Sequence, residues 1–371
     1  MTAPSASLST THPPVRVGVI GVGMIGQDHI RRITEVLTGG SVVAVNDVDA
    51  ERAGQVAAGL PGTVTVYQTA PELIAASDVD AVLIASWGAA HEEQVLAAIA
   101  AGKPVFCEKP LAPSSDACLR IMDAEAAAGR RLVQVGFMRR YDAGYLAMKA
   151  ALDDGGLGAP LLMHCAHRNP SVPPYGFTTE MIISDSAVHE MDIVRWLFGE
   201  EITAAAVLRP RRSAQAPDGL ADPLILLLEM AGGALVDDEL FVSARYGYDV
   251  RGEIVCETGT VALADTSEVT VRTQNRHGGR VPVDWRDRFI RAYDVELQDW
   301  LNAVAAGTST GPTAWDGYAA AAVSDAGVRW PVRSAARAAS VTAAAAKPSQ
   351  TVGPADVPAA TAFSQSWSSA S

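Results

Sequence analysis

From Val15 to about Gly136, short apolar runs rich in β-branched residues alternate with stretches whose apolar positions recur every three or four residues. The runs VRVGVI, SVVAVND, DAVLIAS, KPVFCE and RLVQVG are too short for buried helices and predict strands. Between them, Ile25–Leu37, Glu92–Ala101 and Ser115–Gly129 carry helical spacing. Strand–helix alternation predicts a doubly wound parallel sheet covered on both faces, an α/β Rossmann domain over residues 15–136. The pattern then changes. After a helix near Asp142–Leu152 come the strand-like PLLMHCAHR and a helix containing SDSAVHEMDIVRWL. PLILLLEM, ALVDDELFVSAR, GEIVCE, TVALAD and EVTVRTQ follow as successive strands, and helices return near Asp287–Ala306 and Trp315–Val328. Strands in succession predict an α+β domain over 137–330 with a large, mainly antiparallel open sheet. Residues 331–371, rich in Ala, Ser and Pro without a period, read as a disordered tail, and residues 1–14 as a disordered leader.

A length of 371 residues with 49% hydrophobic content supplies two cores. The 29 basic and 42 acidic side chains give a net charge of −13, which repels nucleic-acid phosphates and anionic lipid. No run approaches the roughly 18 apolar residues of a membrane span. Cys107, Cys118, Cys165 and Cys256 lack metal or redox spacing and read as reduced thiols of a cytoplasmic protein.

Candidate chemistry begins at VRVGVIGVGMIGQDHI, where Gly21, Gly23 and Gly26 stand between a strand and a helix. They permit a tight turn, close approach of a pyrophosphate and close helix–strand packing, with the helix amides facing the phosphates. Asp47, 21 residues past Gly26 at the end of the second strand, is placed to accept hydrogen bonds from an adenosine ribose and to repel a 2′-phosphate. This favours NAD over NADP. Ligands of such sheets lie beyond the carboxyl ends of the strands. There DAVLIAS delivers Ser86, Trp87 and, after Gly88, His91, while KPVFCE delivers Glu108 and Lys109. Lys109 is either a donor to a substrate hydroxyl beside the nicotinamide or a solvated surface lysine, and His91 either touches the cofactor ribose or opens a helix. Asp185 and His189, four apart at a helix start, read as a carboxylate orienting an imidazole for proton transfer, with helix capping by Asp185 as a second role. No metal is expected, because HEMD lacks the second histidine of HExxH and His164 and His167 should face opposite sides of a strand.

The motifs GVGMIG, CEKPLA, QVGFMRRYD, HRNPSV and DSAVHEMD, together with Asp47, resemble the glucose–fructose oxidoreductase and inositol dehydrogenase family from about Val15 to Gly327. FMRRYD, HRNP, AYDVELQDW and AWDGYAAA resemble its inositol-oxidising members. The resemblance implies NAD-dependent oxidation of myo-inositol to 2-keto-myo-inositol, with another inositol isomer or a pyranose as neighbouring substrates and a non-catalytic NAD or sugar sensor as the rival class. It implies a catalytic trio of Lys109, Asp185 and His189, and a cofactor site of Gly21, Gly23, Met24, Ile25, Gly26, Asp47, Ser86, Trp87, His91, Glu108 and Lys109. It places Met138, Arg139, Asn169, Ser186, Tyr248 and Tyr293 around the polyol, with Tyr246 the competitor of Tyr248, and it implies a homotetramer packed through its sheets. Ala89 departs from the proline usual after Ser-Trp-Gly, and the usual closing strand motif is not recognisable after Val328.

Overall fold

The structure, a computed structural model, describes residues 13–174, 176–264, 271–329 and 339–340. Six parallel strands form the first sheet: β1 (Val15–Ile20), β2 (Gly40–Asn46), β3 (Thr65–Val66), β4 (Ala81–Ile84), β5 (Val105–Glu108) and β6 (Val133–Gly136), in the order β3-β2-β1-β4-β5-β6. That order reverses direction between β1 and β4, which opens a crevice at their carboxyl ends. β1, β4, β5 and β6 are buried almost throughout, as strands covered on both faces must be. The helices α1 (Met24–Arg31), α2 (Ala50–Ala58), α3 (Ala70–Ala75), α4 (His91–Ala100) and α5 (Ser115–Ala127) connect them. α1 runs on into a π turn, Arg32–Val36, so the predicted helix to Leu37 is continuous but not regular.

After α6 (Ala143–Asp153), the second sheet contains β7 (Pro160–Arg168), β8 (Ile202–Leu208), β9 (Leu224–Met230), β10 (Leu235–Phe241), β11 (Asp249–Cys256) and β12 (Thr260–Ala262). A single turn, α7 (Thr179–Met181), a π turn, Ile182–Ser186, and α8 (Val188–Phe198) lie between β7 and β8. Within this sheet β7 and β10 pair in parallel, and the other pairs are antiparallel. β8 carries three alanines in seven residues, and that weak strand signature hid it from the pattern reading. Val271–Thr273 (β13) and Arg276–Gly278 (β14) form a separate ribbon, whereas EVTVRTQ was expected to continue the main sheet. Ala339–Ser340 (β15) pairs with Ala205 and Ala204 of β8; the rest of the tail and the leader up to Thr11 and His12 lie outside the described residues.

The two closing helices do not respect the boundary drawn at residue 136. α9 (Trp285–Ala305) sends Leu297, Trp300 and Leu301 into the core of the first sheet, against Val15, Val17, Ile33 and Phe106. α10 (Ala314–Arg329) packs on α5 and on α8, one from each half. The chain thus returns to its beginning, and the crevice at the ends of β1, β4 and β5 faces the α8 side of the second sheet through Lys109 and Asp185.

Candidate active site

The glycine loop has the geometry a dinucleotide requires. Gly21 sits at φ +87°, and a Cβ there would stand 2.4 Å from the Ser86 amide nitrogen. A Cβ on Gly26 would lie 2.0 Å from the Gly21 carbonyl oxygen, so only glycine allows α1 to start this close to β1. Gly23 faces open space, leaving the amides at the start of α1 free to meet a diphosphate. Asp47 follows β2, and its Oδ2 accepts from the Val22 amide at 2.7 Å, which ties the acid to the glycine loop. Its Oδ1 accepts from the Asp49 amide at 2.9 Å and from Arg52 Nη2 at 2.6 Å. Burial pushes the Asp47 carboxyl up, but these donors outweigh it and hold it below its ordinary value. A cavity of about 290 Å³ opens beside it, bordered by Asn46, Val48, Gln68, Thr69 and Gln94. Met24, Val48 and Trp87 expose large apolar side chains at the ends of three neighbouring strands, where a cofactor's flat surfaces would cover them. The residues present therefore fit a dinucleotide.

Lys109 and Asp185, both expected in the catalytic trio, come together. Lys109 Nζ donates to Asp185 Oδ1 at 2.8 Å and to the Asp185 carbonyl oxygen at 3.0 Å. His189 opens α8 and is 8% exposed, its Nδ1 buried without a hydrogen-bond partner. Burial drives the His189 imidazole well below its ordinary pKa, and the charges of Lys109, Arg139 and His167 add to the effect. A π turn, Ile182–Ser186, precedes α8, with Ala187 N donating to Ile182 O at 3.0 Å. Asp185 lies in this turn and balances the charge of Lys109. The arrangement combines a cationic donor with an unprotonated imidazole, as removal of a hydroxyl proton requires.

A buried polar layer supports His189. Arg139 donates to the Glu190 carboxylate, and Arg139 Nη2 stands 3.3 Å from His167 Nδ1, itself 3.1 Å from Glu190 Oε2. The His167 and His189 rings are 6.3 Å apart, and Tyr248 lies edge-on to His167 at 5.7 Å with its hydroxyl 3.4 Å from His167 Nε2. Tyr248 is therefore the tyrosine of this layer, whereas the Tyr246 hydroxyl donates to Asp249 and is half exposed. Met138 and Ser186 are buried nearby, and Asn169 continues from the end of β7. Arg139, expected around the polyol, is buried and holds Glu190 while standing beside His167. Tyr293 is likewise buried, against His29 at 5.7 Å and beneath the Arg32 guanidinium at 4.8 Å.

Two residues expected at the cofactor are instead structural clamps. His91 is buried with Nδ1 2.7 Å from the Pro110 carbonyl and Nε2 3.0 Å from the Ser86 carbonyl, joining the loops after β4 and β5. Both ring nitrogens are occupied, so it opens α4 and does not present its ring to a ribose. Glu108 turns inward, its Oε1 2.7 Å from His29 Nε2 of α1 and its Oε2 accepting from the Lys109 amide at 3.2 Å. Sequence reasoning missed His29, His167 and Glu190. The alternation Met163, Cys165, His167 along β7 puts the histidine on the apolar face and was the available signal. Among the described residues no cluster of His, Cys, Asp and Glu could hold a metal, the four cysteines are free and buried, and no helix is long and apolar enough to cross a membrane.

Comparison with known proteins agrees with this geometry. Residues 15–137 match the oxidoreductase family NAD-binding Rossmann fold, and residues 149–330 match the oxidoreductase family C-terminal alpha/beta domain. Inositol 2-dehydrogenase of Ralstonia nicotianae is 53% identical over 315 residues, covering 85% of this chain and 93% of that protein. Inositol 2-dehydrogenase 3 of Saccharopolyspora erythraea is 54% identical over 309 residues, covering 83% and 90%. The crystal structure of myo-inositol dehydrogenase from Lactobacillus casei in complex with NAD(H) and myo-inositol superposes with a TM-score of 0.83 at 40% identity, covering 85% of this chain and 94% of that one. Matched along both of its domains and by relatives above half identity, the chain belongs to the glucose–fructose oxidoreductase and inositol dehydrogenase family and is an NAD-dependent oxidoreductase.

Proposed function

We propose that this chain oxidises myo-inositol to 2-keto-myo-inositol, with Lys109, Asp185 and His189 as its catalytic residues. The carrying observation is the meeting of Lys109 with Asp185 beside an imidazole that burial and the cationic Lys109 and Arg139 keep unprotonated. When bound, NAD supplies the hydride acceptor at C4 of its nicotinamide. His189 Nδ1 is sealed, which leaves Nε2 to take the proton of the reacting hydroxyl. The Lys109 ammonium, held by Asp185, donates to the same oxygen and stabilises the negative charge that develops as the carbinol becomes a ketone. Asp185 keeps Lys109 in place and compensates its charge. Glu190, Arg139 and His167 fix the depth of His189 from behind. Met138, Asn169, Ser186, Tyr248 and Tyr293 form the surroundings of the polyol ring, and the active species is a homotetramer in the cytoplasm.

The relatives named above support the choice of substrate. Following NADH formation with myo-inositol, other inositol isomers and hexoses tests the reading. The highest kcat/KM is expected with myo-inositol; a hexose turned over more efficiently would overturn the assignment.

A further inference from the structure

We propose that Arg52 is a specificity-determining residue that narrows this enzyme's discrimination against a 2′-phosphorylated dinucleotide. The proposal rests on the reading of Asp47 as the acceptor for the adenosine ribose. Arg52 occupies the first turn of α2, where its amide is held by the N-capping side chain of Asp49 at 3.0 Å. From there its side chain turns back so that Nη2 donates to Asp47 Oδ1 at 2.6 Å. Nε is buried without a partner, and Nη1 stands 3.9 Å from the Asp49 carboxylate. The side chain is 40% exposed, next to the fully exposed Val48 and the cavity that borders Asp47.

An unpaired Asp47 would repel a 2′-phosphate by its charge alone. Here that charge is already paired with a guanidinium. A ribose hydroxyl donating to Asp47 Oδ1 comes within hydrogen-bond distance of the oxygen that Arg52 holds. A phosphate on that ribose carbon therefore falls within reach of the exposed part of the Arg52 guanidinium, whose charge and fork geometry suit phosphate oxygens. NAD gains no such contact, because ribose hydroxyls donate to Asp47 and offer Arg52 little. NAD remains the preferred cofactor, and its 2′-phosphorylated counterpart keeps a measurable affinity.

The test is calorimetric titration of the full chain with NADH and with NADPH, without substrate, for the parent, Arg52→Gln, Asp47→Ser and the double variant. Measurable NADPH binding by the parent is expected. Arg52→Gln should raise the ratio of the NADPH to the NADH dissociation constant by about five- to tenfold, the scale of one partly exposed charged contact, with NADH affinity within about twofold of the parent. Asp47→Ser should move preference towards NADPH, and the double variant should lose most of that gain. Arg52→Gln with an unchanged ratio, or with NADH weakened as much as NADPH, would overturn the proposal while leaving Asp47 as the ribose acceptor. An unchanged ratio in Asp47→Ser would overturn the ribose reading itself and the proposal with it.

Discussion

The Lys109 ammonium touches Asp185 twice, through the carboxylate and through the main-chain carbonyl. Replacing Lys109 by Met keeps the length of the stem and removes the donor. NAD should bind as before while kcat falls at least about a hundredfold, the usual scale for one group aimed at a developing oxyanion. A kcat within threefold of the parent would return Lys109 to the status of a surface lysine. His189 calls for a different measurement, because its protonation state is what matters. A base acts when unprotonated, and burial together with the cationic Lys109 and Arg139 displaces its ionisation to acid. Inositol oxidation should therefore be flat through neutrality and decline only below about pH 6.5, the ordinary histidine value. Asp185→Asn leaves Lys109 uncompensated, so the imidazolium becomes less favourable still; the decline should move further to acid and the maximal rate should drop. A parent ionisation at or above the ordinary histidine value would contradict this electrostatic picture and favour an Asp185–His189 pair.

At the scale of the element, the pattern of apolar residues located β1, β2, β4, β5, β6 and β7 because buried strands concentrate β-branched residues. β3 has two residues and α3 six, too few to show a period, and β8 is too rich in alanine to look like a strand. The π turn before α8 is invisible to a reading based on 3.6 residues per turn, and the contact of Asp185 with Lys109, 76 residues away in the chain, leaves no local signal. α9 shows a second limit, since its period is clear but the sheet it covers belongs to the other half of the chain. On α9, Glu296 is fully buried with both carboxylate oxygens unpartnered. Burial raises its pKa well above the ordinary value, and the nearby Glu108 and Asp192 raise it further. A folded value above the unfolded one means that stability is fully present below the unfolded pKa, about 4.3, and is lost as pH rises through the folded value. Glu296→Gln removes that titration with nearly unchanged volume. The melting temperature of Glu296→Gln relative to the parent should therefore increase by about 1–2 °C between pH 5 and pH 8, the equivalent of about 1 kcal/mol in a chain of this size. A difference that stays constant across that range would mean that the carboxyl titrates alike in the folded and unfolded chain.

For the whole molecule, the open question is what covers the second sheet. Strand register places one set of side chains towards α8 and α10, including Leu224, Leu226, Leu228 and Val236, and these are buried. The opposite set divides in two. Towards β7, β10 and β11 it is ionic, with His164 2.5 Å from Asp237, and Arg168 paired to Glu239 and Asp249. Towards β8 and β9 it is apolar: Leu227 lies opposite Ala206, Leu208 lies opposite Ile225, and Leu208 and Leu227 are exposed. A face with an apolar half and fixed charges in the other suits packing against a copy of itself, since a two-fold axis can bury the apolar strands while the charges set the register. The proposed tetramer uses this face. Light scattering at micromolar concentration should give the mass of four chains, and Leu227→Arg, which puts a charge at the centre of the apolar half, should reduce it to two or one. Val283→Arg, at an exposed position before α9, adds the same charge away from the sheet and should leave the mass unchanged. A parent that runs as a stable monomer, or a Leu227→Arg variant that keeps the parent's mass, would show that this face is solvated and that any assembly uses another surface.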